Sequence, residues 1–224
     1  MTIKIEHLEL HIPWPNNSPP VWWTWTEIVV TSVLVQIGLW THRNSRGRII
    51  LLGAAWLILT TLWDKTSLTE MGLRFKNSKG SLWMSEPVLI IISLIWLTGV
   101  FTGNANDTPG SEFFPANKNS YIFSAFLQQL LMQSYVFVRL QKVCPRKAER
   151  VVALIFCASH LPNPALMFIT LAAGWMSAYI FNRQRNLYAL GLAHGLIGAA
   201  IATFWPRWVI RAGIGFINII LGSS

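Results

Sequence analysis

The stretch SAFLQQLLMQSYVFV, residues 124–138, decides the fold class, because it belongs to an apolar run and yet carries three glutamines. A transmembrane α-helix needs about 20 mostly apolar residues to cross the ~30 Å hydrocarbon core, and the run 121–141 meets this length. A glutamine in hydrocarbon is unfavourable unless its amide is hydrogen-bonded. Gln128, Gln129 and Gln133 therefore require polar partners on neighbouring helices.

The composition of the whole chain agrees with a membrane protein. The 224 residues are 53% hydrophobic and 12% charged, with a mean hydropathy of +0.43, which is too apolar for a soluble globular domain. Twelve tryptophans, many near the ends of apolar runs, suit the aromatic belts of a bilayer interface. We expect an all-α polytopic membrane helix bundle with about seven or eight transmembrane helices.

The predicted organisation is an N-terminal segment, 1–21, followed by a single membrane domain, 22–224. Several apolar runs are short, so two of them, 48–63 and 147–160, are candidates for tilted or half-buried helices. The apolar runs fall at 22–40, 48–63, 83–103, 121–141, 147–160, 165–182, 186–204 and 206–221.

The formal charge of +9 does not indicate nucleic-acid binding, because the basic residues lie mostly in short connections between apolar runs. This distribution favours contact with anionic lipids. It places the loops 139–150 and 182–185 on the cytoplasmic face and the loop 104–120 on the other face. The basic stretch 41–48 does not fit this alternation, and the N-terminal half stays unassigned. Residues 64–81 are either an interfacial element or a solvated loop.

Two histidines in apolar runs join the glutamines as candidate site residues. His160 precedes Pro162 and Pro164, which end or kink a helix and free backbone groups beside a cavity. His194 lies near the middle of the run 186–204. Each polar residue alone is more simply explained as a hydrogen bond between helices. Two histidines and three glutamines on three neighbouring helices, however, favour one shared polar site.

The helix that carries His194 also has a face of small residues. Gly191, Gly195 and Ala199 repeat every four residues, a pattern that lets a neighbouring helix approach closely. Gln129 and Gln133 are likewise four residues apart and share a face of their own helix. We therefore expect close helix packing next to the polar site.

These residues, taken in order, resemble the CPBP (Abi) family of intramembrane proteases, which includes the CAAX prenyl proteases. The family pattern is Glu-Glu-x-x-x-Arg, then Phe-x-x-x-His, then His-x-x-x-Asn or Asp. The stretch QQLLMQ (128–133) aligns on the first motif, FCASH (156–160) on the second and HGLIG (194–198) on the third. The resemblance covers about residues 84–205 and extends to EMGLR at 70–74.

The departures from the family pattern remove its charges. Gln128 and Gln129 occupy both glutamate positions, Gln133 replaces the arginine and Gly198 replaces the final Asn or Asp. The family's glutamate is taken to act as general base for a water, and a glutamine amide cannot take that proton. The family's mechanism would survive only if Glu86 or Glu112 folded over the site. Losing the glutamates and the arginine together avoids an unpaired charge at membrane depth.

Two functions of different classes follow from this pattern, and the sequence leaves open whether the chain is an enzyme. In the first, the chain is an intramembrane endopeptidase with altered chemistry, whose catalytic residues are His160, His194, Gln128 and Gln129. Gln133 and Asn163 would then contact the substrate. In the second, it is a non-proteolytic relative that binds a prenyl or other lipid or has a scaffold or immunity role. A lipid-modifying enzyme that uses the histidine pair is a further alternative.

The resemblance also implies partners and a location. The expected partners are membrane lipids and, as substrate, a prenylated or membrane peptide, with no nucleic acid. The expected location is a bacterial cytoplasmic (inner) membrane, with the protein embedded in it. No metal site is predicted, and the cofactor stays open. A divalent metal could bind the histidine pair, but two imidazoles with neutral amides make a poor zinc site.

Overall fold

A computed structural model describes residues 19–73, 85–102 and 118–222 of the chain. In these ranges the structure is all helical, as the sequence predicts, and no strand occurs in them. The predicted N-terminal segment and the loop 104–120 fall mostly outside the described residues. The α-helices are α1 (Val21–Trp40), α2 (Arg43–Trp63), α3 (Ser85–Phe101), α4 (Lys118–Gln129), α5 (Val138–Val143), α6 (Ala148–Ala158), α7 (Pro164–Gln184), α8 (Leu187–Phe204) and α9 (Ile214–Ile220).

The helix that carries the three glutamines changes its winding directly after Gln129. A π-helical stretch, Leu130–Phe137, joins α4 to α5 without a break. The described residues therefore form eight continuous helices, which match the eight apolar runs, together with one 3₁₀ turn at Arg207–Ile210. The residues from Met132 to Phe137 are all buried, so the wider π-helical turn lies in the middle of the bundle. Such turns occur often at functional sites.

Among the described residues, three helices are long and apolar enough to cross a membrane: Ser45–Trp63 in α2, Pro164–Gln184 and Leu187–Phe204. The Glu86–Phe101 helix is apolar but shorter. These features confirm the predicted membrane helix bundle. The helices α6 and α9 have 11 and 7 residues and are too short to span a bilayer alone, because a helix rises about 1.5 Å per residue.

The small-residue face of α8 packs against α4, as the sequence predicts. A Cβ atom added to Gly191 would meet the Phe126 ring, and one added to Gly195 would lie 3.0 Å from the Cα atom of Ile122. A side chain at either position would therefore push the two helices or their side chains apart. The close contact fixes His194, on the same helix, relative to the glutamines of α4.

The chain between α6 and α7 is a non-helical turn, and its polar groups are bonded by other parts of the protein. The Gln36 amide of α1 donates to the Ala158 carbonyl at 2.6 Å, and the Gly213 N–H donates to the Leu161 carbonyl at 2.8 Å. Non-helical backbone at membrane depth is tolerated where the protein itself satisfies it. The prolines of the turn thus end α6, as predicted. His160 lies in this turn, directly after the helix.

The two basic loops predicted to share a face do meet at one end of the bundle. The Gln141 amide donates to Asn182 at 2.8 Å, and the Asn182 amide donates to Glu149 at 3.0 Å. Arg185 donates to the Gln141 side chain as well. These bonds join the end of α5, the start of α6 and the end of α7, an end that we call the basic end.

The segment 64–81 is predicted to be either an interfacial element or a solvated loop, and its described part, residues 64–73, docks onto the basic end. The Leu187 N–H donates to the Gly72 carbonyl at 3.0 Å, and the Ser134 hydroxyl donates to the Met71 carbonyl at 2.6 Å. Gly72 has a φ of +70°, and a Cβ there would meet the Phe181 ring at 2.6 Å. A glycine is therefore required at the point where the segment touches α7 and α8.

A buried charge cluster, which the sequence reading missed, fastens α1 and α2 to α5 near the basic end. Arg139 Nε lies 3.0 Å from Glu27 Oε2, and Arg139 Nη2 lies 3.3 Å from Asp64 Oδ2. Lys142 Nζ lies 3.7 Å from the same Asp64 oxygen. The side chains of Glu27, Asp64 and Arg139 are almost completely buried, so the two acids and two bases neutralise one another inside the bundle.

The charge cluster also orients the N-terminal hairpin. Glu27 and Asp64 lie at the basic end, whereas the Leu39 carbonyl contacts Gly213 beside the α6–α7 turn. The connection at residues 41–42 between α1 and α2 therefore lies at the opposite end. The basic stretch 41–48 thus begins at the end opposite to the basic end and does not follow the distribution of the loops 139–150 and 182–185.

Removing one partner of this cluster should destabilise the protein strongly. Glu27→Leu leaves Arg139 with only Asp64, and breaking a buried pair costs about 3 kcal/mol or more. We expect a fall of several degrees in the Tm of the purified protein in detergent. Glu86→Leu, a change at an exposed acidic residue, is the matched control and should leave the Tm unchanged.

The double variant Glu27→Leu/Arg139→Met tests whether the unpaired charge of Arg139 causes the loss of stability. It removes both charges and should recover most of the lost Tm, because no unpaired charge remains. A double variant as unstable as Glu27→Leu alone would contradict an electrostatic role for the cluster.

Candidate functional site

A cavity of about 230 Å³ lies at the end of the bundle that is opposite to the basic end. Its walls come from α1, from α4 and the π-helical stretch, from α6, α7 and α8, and from the chain that follows α8. Most lining side chains are apolar, among them Val35, Leu39 and Ile210. The polar residues that line it are Gln128, Ser159, His160, Thr170 and His194. The structure therefore brings three of the four predicted catalytic residues to one cavity.

The His160 side chain is held by the last turn of its own helix. Its Nδ1 atom lies 2.8 Å from the Phe156 carbonyl oxygen. A carbonyl can only accept, so Nδ1 carries the hydrogen and Nε2 of the neutral ring has a free lone pair. The Phe156 ring packs edge to face on the His160 ring, with 4.8 Å between the ring centroids. His160 thus presents a hydrogen-bond acceptor, which is also a base.

The two ring nitrogens of His194 have the reverse hydrogen-bonding roles, with Nδ1 as the acceptor and Nε2 as the donor. The Gln129 amide nitrogen donates to His194 Nδ1 at 3.2 Å and lies 3.4 Å from the Ser177 hydroxyl. Because an amide NH₂ group can only donate, Nδ1 is the acceptor and Nε2 of the neutral ring carries the hydrogen. The Phe156 ring also packs on the His194 ring, with 5.9 Å between the ring centroids. It therefore contacts both imidazoles.

The glutamines of the first motif have separate positions. Gln128 lines the cavity, whereas Gln129 is buried behind His194 and sets the orientation of that ring. Gln133 is buried too, but it does not line the cavity. Its side-chain oxygen has no hydrogen-bond donor among the described residues. The side chain that faces the cavity is therefore Gln128.

Asn163 does not line the cavity either, and its whole amide is used to hold the chain together. Its oxygen caps α7 by accepting from the Leu166 N–H at 3.1 Å. Its nitrogen lies 2.6 Å from the Trp208 carbonyl, 3.3 Å from that of Val209 and 3.0 Å from that of Arg211. Asn163 thus anchors residues 206–213, which we call the C-terminal strap and which form one wall of the cavity.

The two hydroxyl groups of the lining are also oriented by the backbone. Ser159 donates to the Ile155 carbonyl at 3.0 Å, and Thr170 donates to the Leu166 carbonyl at 2.7 Å. A hydroxyl has one hydrogen, so the oxygens of Ser159 and Thr170 can only accept from a molecule in the cavity.

None of the described carboxylates lies at the cavity. Glu27 and Asp64 belong to the charge cluster, and Glu70 and Glu149 lie at the basic end. Glu86 is exposed and does not line the cavity, while Glu112 lies outside the described residues. The described residues also contain no group of three metal-binding side chains. The chemistry of the described site therefore rests on imidazoles, amides and hydroxyls.

Four residues of this neighbourhood were missed by the sequence reading: Gln36, Ser159, Thr170 and Ser177. Gln36 offered a signal, because it is a single amide in the apolar run 22–40. The two serines and the threonine offered none, since a hydroxyl in a transmembrane helix usually bonds its own backbone.

The fold and the site define a class of protein: a membrane helix bundle with a neutral polar cavity between its helices. Residues 113–200 match the family model described as type II CAAX prenyl endopeptidase Rce1-like. Over this segment, which is somewhat less than half of the chain, the protein is similar to the Rce1-like family, and the predicted resemblance is confirmed. No match was found with a curated protein or with a solved structure.

The Asn163 amide should be needed to hold the C-terminal strap. Asn163→Ser keeps a residue that can cap α7 but removes the donors to three carbonyls, at a cost of about 2 kcal/mol. We expect faster hydrogen exchange of the backbone amides in residues 206–213, measured by mass spectrometry in detergent. The control Asn218→Ser changes an exposed asparagine of α9 and should have no effect. Equal exchange in all three proteins would contradict the anchoring role.

Proposed function

We propose that this protein is an intramembrane endopeptidase in which His160, not a carboxylate, is the general base. The observation that carries the proposal is that the two imidazoles have opposite hydrogen-bonding roles at Nε2. His160 offers a free Nε2 lone pair, and His194 offers an Nε2–H group, at the same cavity. Hydrolysis of an amide needs both an acceptor for the proton of water and a donor for the carbonyl oxygen.

The proposed reaction uses the two histidines in sequence. A water that donates to His160 Nε2 attacks the carbonyl carbon of the scissile bond, and His160 takes its proton. The His194 Nε2–H group donates to the carbonyl oxygen as negative charge develops there. The His160 imidazolium then protonates the leaving nitrogen, so the peptide bond breaks and a carboxylic acid and an amine leave the site.

Glutamines have defined parts in this scheme. Gln129 fixes the protonated nitrogen of His194 towards the cavity, because its amide donates to the other ring nitrogen. Gln128 lines the cavity and supplies a further amide donor for the carbonyl oxygen or acceptor for the water. A prenylated or other membrane peptide is the proposed substrate, in line with the description of the family.

A second candidate function is binding without hydrolysis. It is favoured by the neutral lining, since no carboxylate of the described residues reaches the cavity. The same imidazoles and amides would then hold a lipid or a prenyl group, and the chain would be a non-proteolytic relative in its family. A lipid-modifying reaction that uses the histidine pair belongs to the same candidate.

Cleavage by the purified protein separates the two candidates. The protein is reconstituted in liposomes with a prenylated peptide and with a transmembrane peptide, and the products are identified by mass spectrometry. We expect cleavage by the native chain and a loss of at least about 100-fold in His160→Ala, the usual contribution of a general base. His42→Ala, a change at an exposed histidine, should retain full activity.

Two results would count against the endopeptidase. Cleavage that persists in His160→Ala would exclude His160 as the base. If the native protein cleaves neither peptide and yet retains a bound lipid, the second candidate is favoured instead.

The role of Gln129 predicts a change in the tautomer of His194. In Gln129→Glu the carboxylate accepts from Nδ1–H, so the hydrogen leaves Nε2 and the site loses its donor. The ¹⁵N chemical shifts of histidine-labelled protein should show Nε2–H for His194 in the native chain and Nδ1–H in the variant. His160 should keep Nδ1–H in both, and a His194→Asn sample assigns the signals. Unchanged shifts of His194 would contradict the role of Gln129.

A further inference from the structure

We propose that the cavity selects an uncharged amphiphile, an apolar chain that carries a hydroxyl group, and that this molecule enters from the bilayer between α7 and α8. The inference rests on the cavity that the proposed function uses, but it requires none of the hydrolytic chemistry. It names the class of ligand by the charge, the hydrogen-bonding capacity and the open side of the cavity.

Charge is the first property of the cavity that selects a ligand. Every described residue that lines the cavity is uncharged when the two histidines are neutral, and most of the lining is apolar. A carboxylate or an ammonium group in such surroundings loses its hydration without gaining an ion pair. Gln133 stands where the family pattern has an arginine, so that pattern's positive charge is missing near the site. A ligand with a neutral polar group is therefore favoured over one with a charged group.

The balance of hydrogen-bond donors and acceptors in the lining also selects a ligand. His160 Nε2 and the oxygens of Ser159 and Thr170 can only accept, since the hydrogens of these groups are bonded to backbone carbonyls. His194 Nε2–H is a donor. A hydroxyl group both donates and accepts, so it can satisfy both kinds of group at once. An ester or a carboxylate, which only accepts, would leave three acceptors facing it without a donor.

The open side of the cavity lies between two helices that have little contact with each other. The helix α7 packs chiefly on α6, and α8 packs chiefly on α4 and α3, so α7 and α8 have little direct contact although both line the cavity. Ala173 of α7 lines the cavity and is also exposed. The cavity mouth therefore lies at Ala173, beside helices that are long and apolar enough to span the bilayer. An apolar chain can pass there without leaving hydrocarbon.

Three probes with the same chain test the selection: dodecanol, dodecanoate and dodecylammonium at pH 8. Each is added at a range of concentrations to the native protein in detergent, and the Tm is measured. A ligand that binds the folded state raises the Tm. We expect dodecanol to raise the Tm by several degrees in a saturable way, and the two charged probes to raise it by less than one third as much.

Two adjacent alanines provide the matched variants. Ala173→Phe fills the cavity mouth, whereas Ala172→Phe places the same side chain on an exposed position outside the lining. The dodecanol shift should disappear in Ala173→Phe and persist in Ala172→Phe. Thr170→Val keeps the shape of the lining but removes one acceptor, and it should weaken dodecanol binding about 5- to 10-fold.

The outcomes are distinct from those of the cleavage assay, because dodecanol has no scissile bond. Selective dodecanol binding that Ala173→Phe abolishes supports the inference even if no peptide is cleaved. Equal shifts with all three probes, or a dodecanol shift that survives in Ala173→Phe, overturn it even if peptides are cleaved. If Ala173→Phe does not fold, loss of selectivity for dodecanol in Thr170→Val supports the inference and unchanged binding overturns it.

Discussion

The need to satisfy every backbone polar group at membrane depth shapes the candidate site. The helix α6 stops after 11 residues, and the turn that follows has carbonyls that its own helix cannot bond. Gln36 bonds the Ala158 carbonyl, the Gly213 N–H bonds the Leu161 carbonyl, and the Asn163 amide bonds three carbonyls of the C-terminal strap. Because these bonds come from α1, from the turn and from the strap, they draw the same elements together around His160. The hydrogen bonds that satisfy the turn after α6 thus also hold the walls of the cavity in place.

Neutrality is the second organising property of the site. A glutamate in the place of Gln129 would accept a hydrogen from His194, whereas the amide donates to it. An amide in place of an acid at this position therefore moves the ring hydrogen of His194 from Nδ1 to Nε2, and it also removes a charge. Gln133 stands at the predicted position of the family's arginine, so the charge that could pair with such a glutamate is absent there. The predicted alignment is self-consistent, since losing both glutamates alone would leave the arginine unpaired in the bundle.

The sequence predicted the parts of this structure that depend on local pattern. The apolar runs predicted the eight helices, the glycines of α8 predicted a closely packed neighbouring helix, and the prolines predicted the end of α6. The π-helical stretch could not be predicted, because nothing in LLMQSYVF distinguishes it from an ordinary helix. The charge cluster was missed because Glu27 and Arg139 are far apart in the chain, and only packing shows that they pair. Asn163 was predicted to contact the substrate, but its amide is fully engaged with backbone groups, which no spacing of residues could show.

The helix α1 connects the two polar regions of the molecule, although it lies outside the segment that matches the family. Near its beginning Glu27 is fastened to Arg139, and near its end Gln36 bonds the carbonyl that ends α6. Val35 and Leu39 of the same helix line the cavity. A helix is stiff, so an ion pair at one end restricts the position of side chains at the other. The charge cluster at the opposite end of the bundle therefore restricts the position of Val35 and Leu39, and residues outside the family segment form part of the cavity wall.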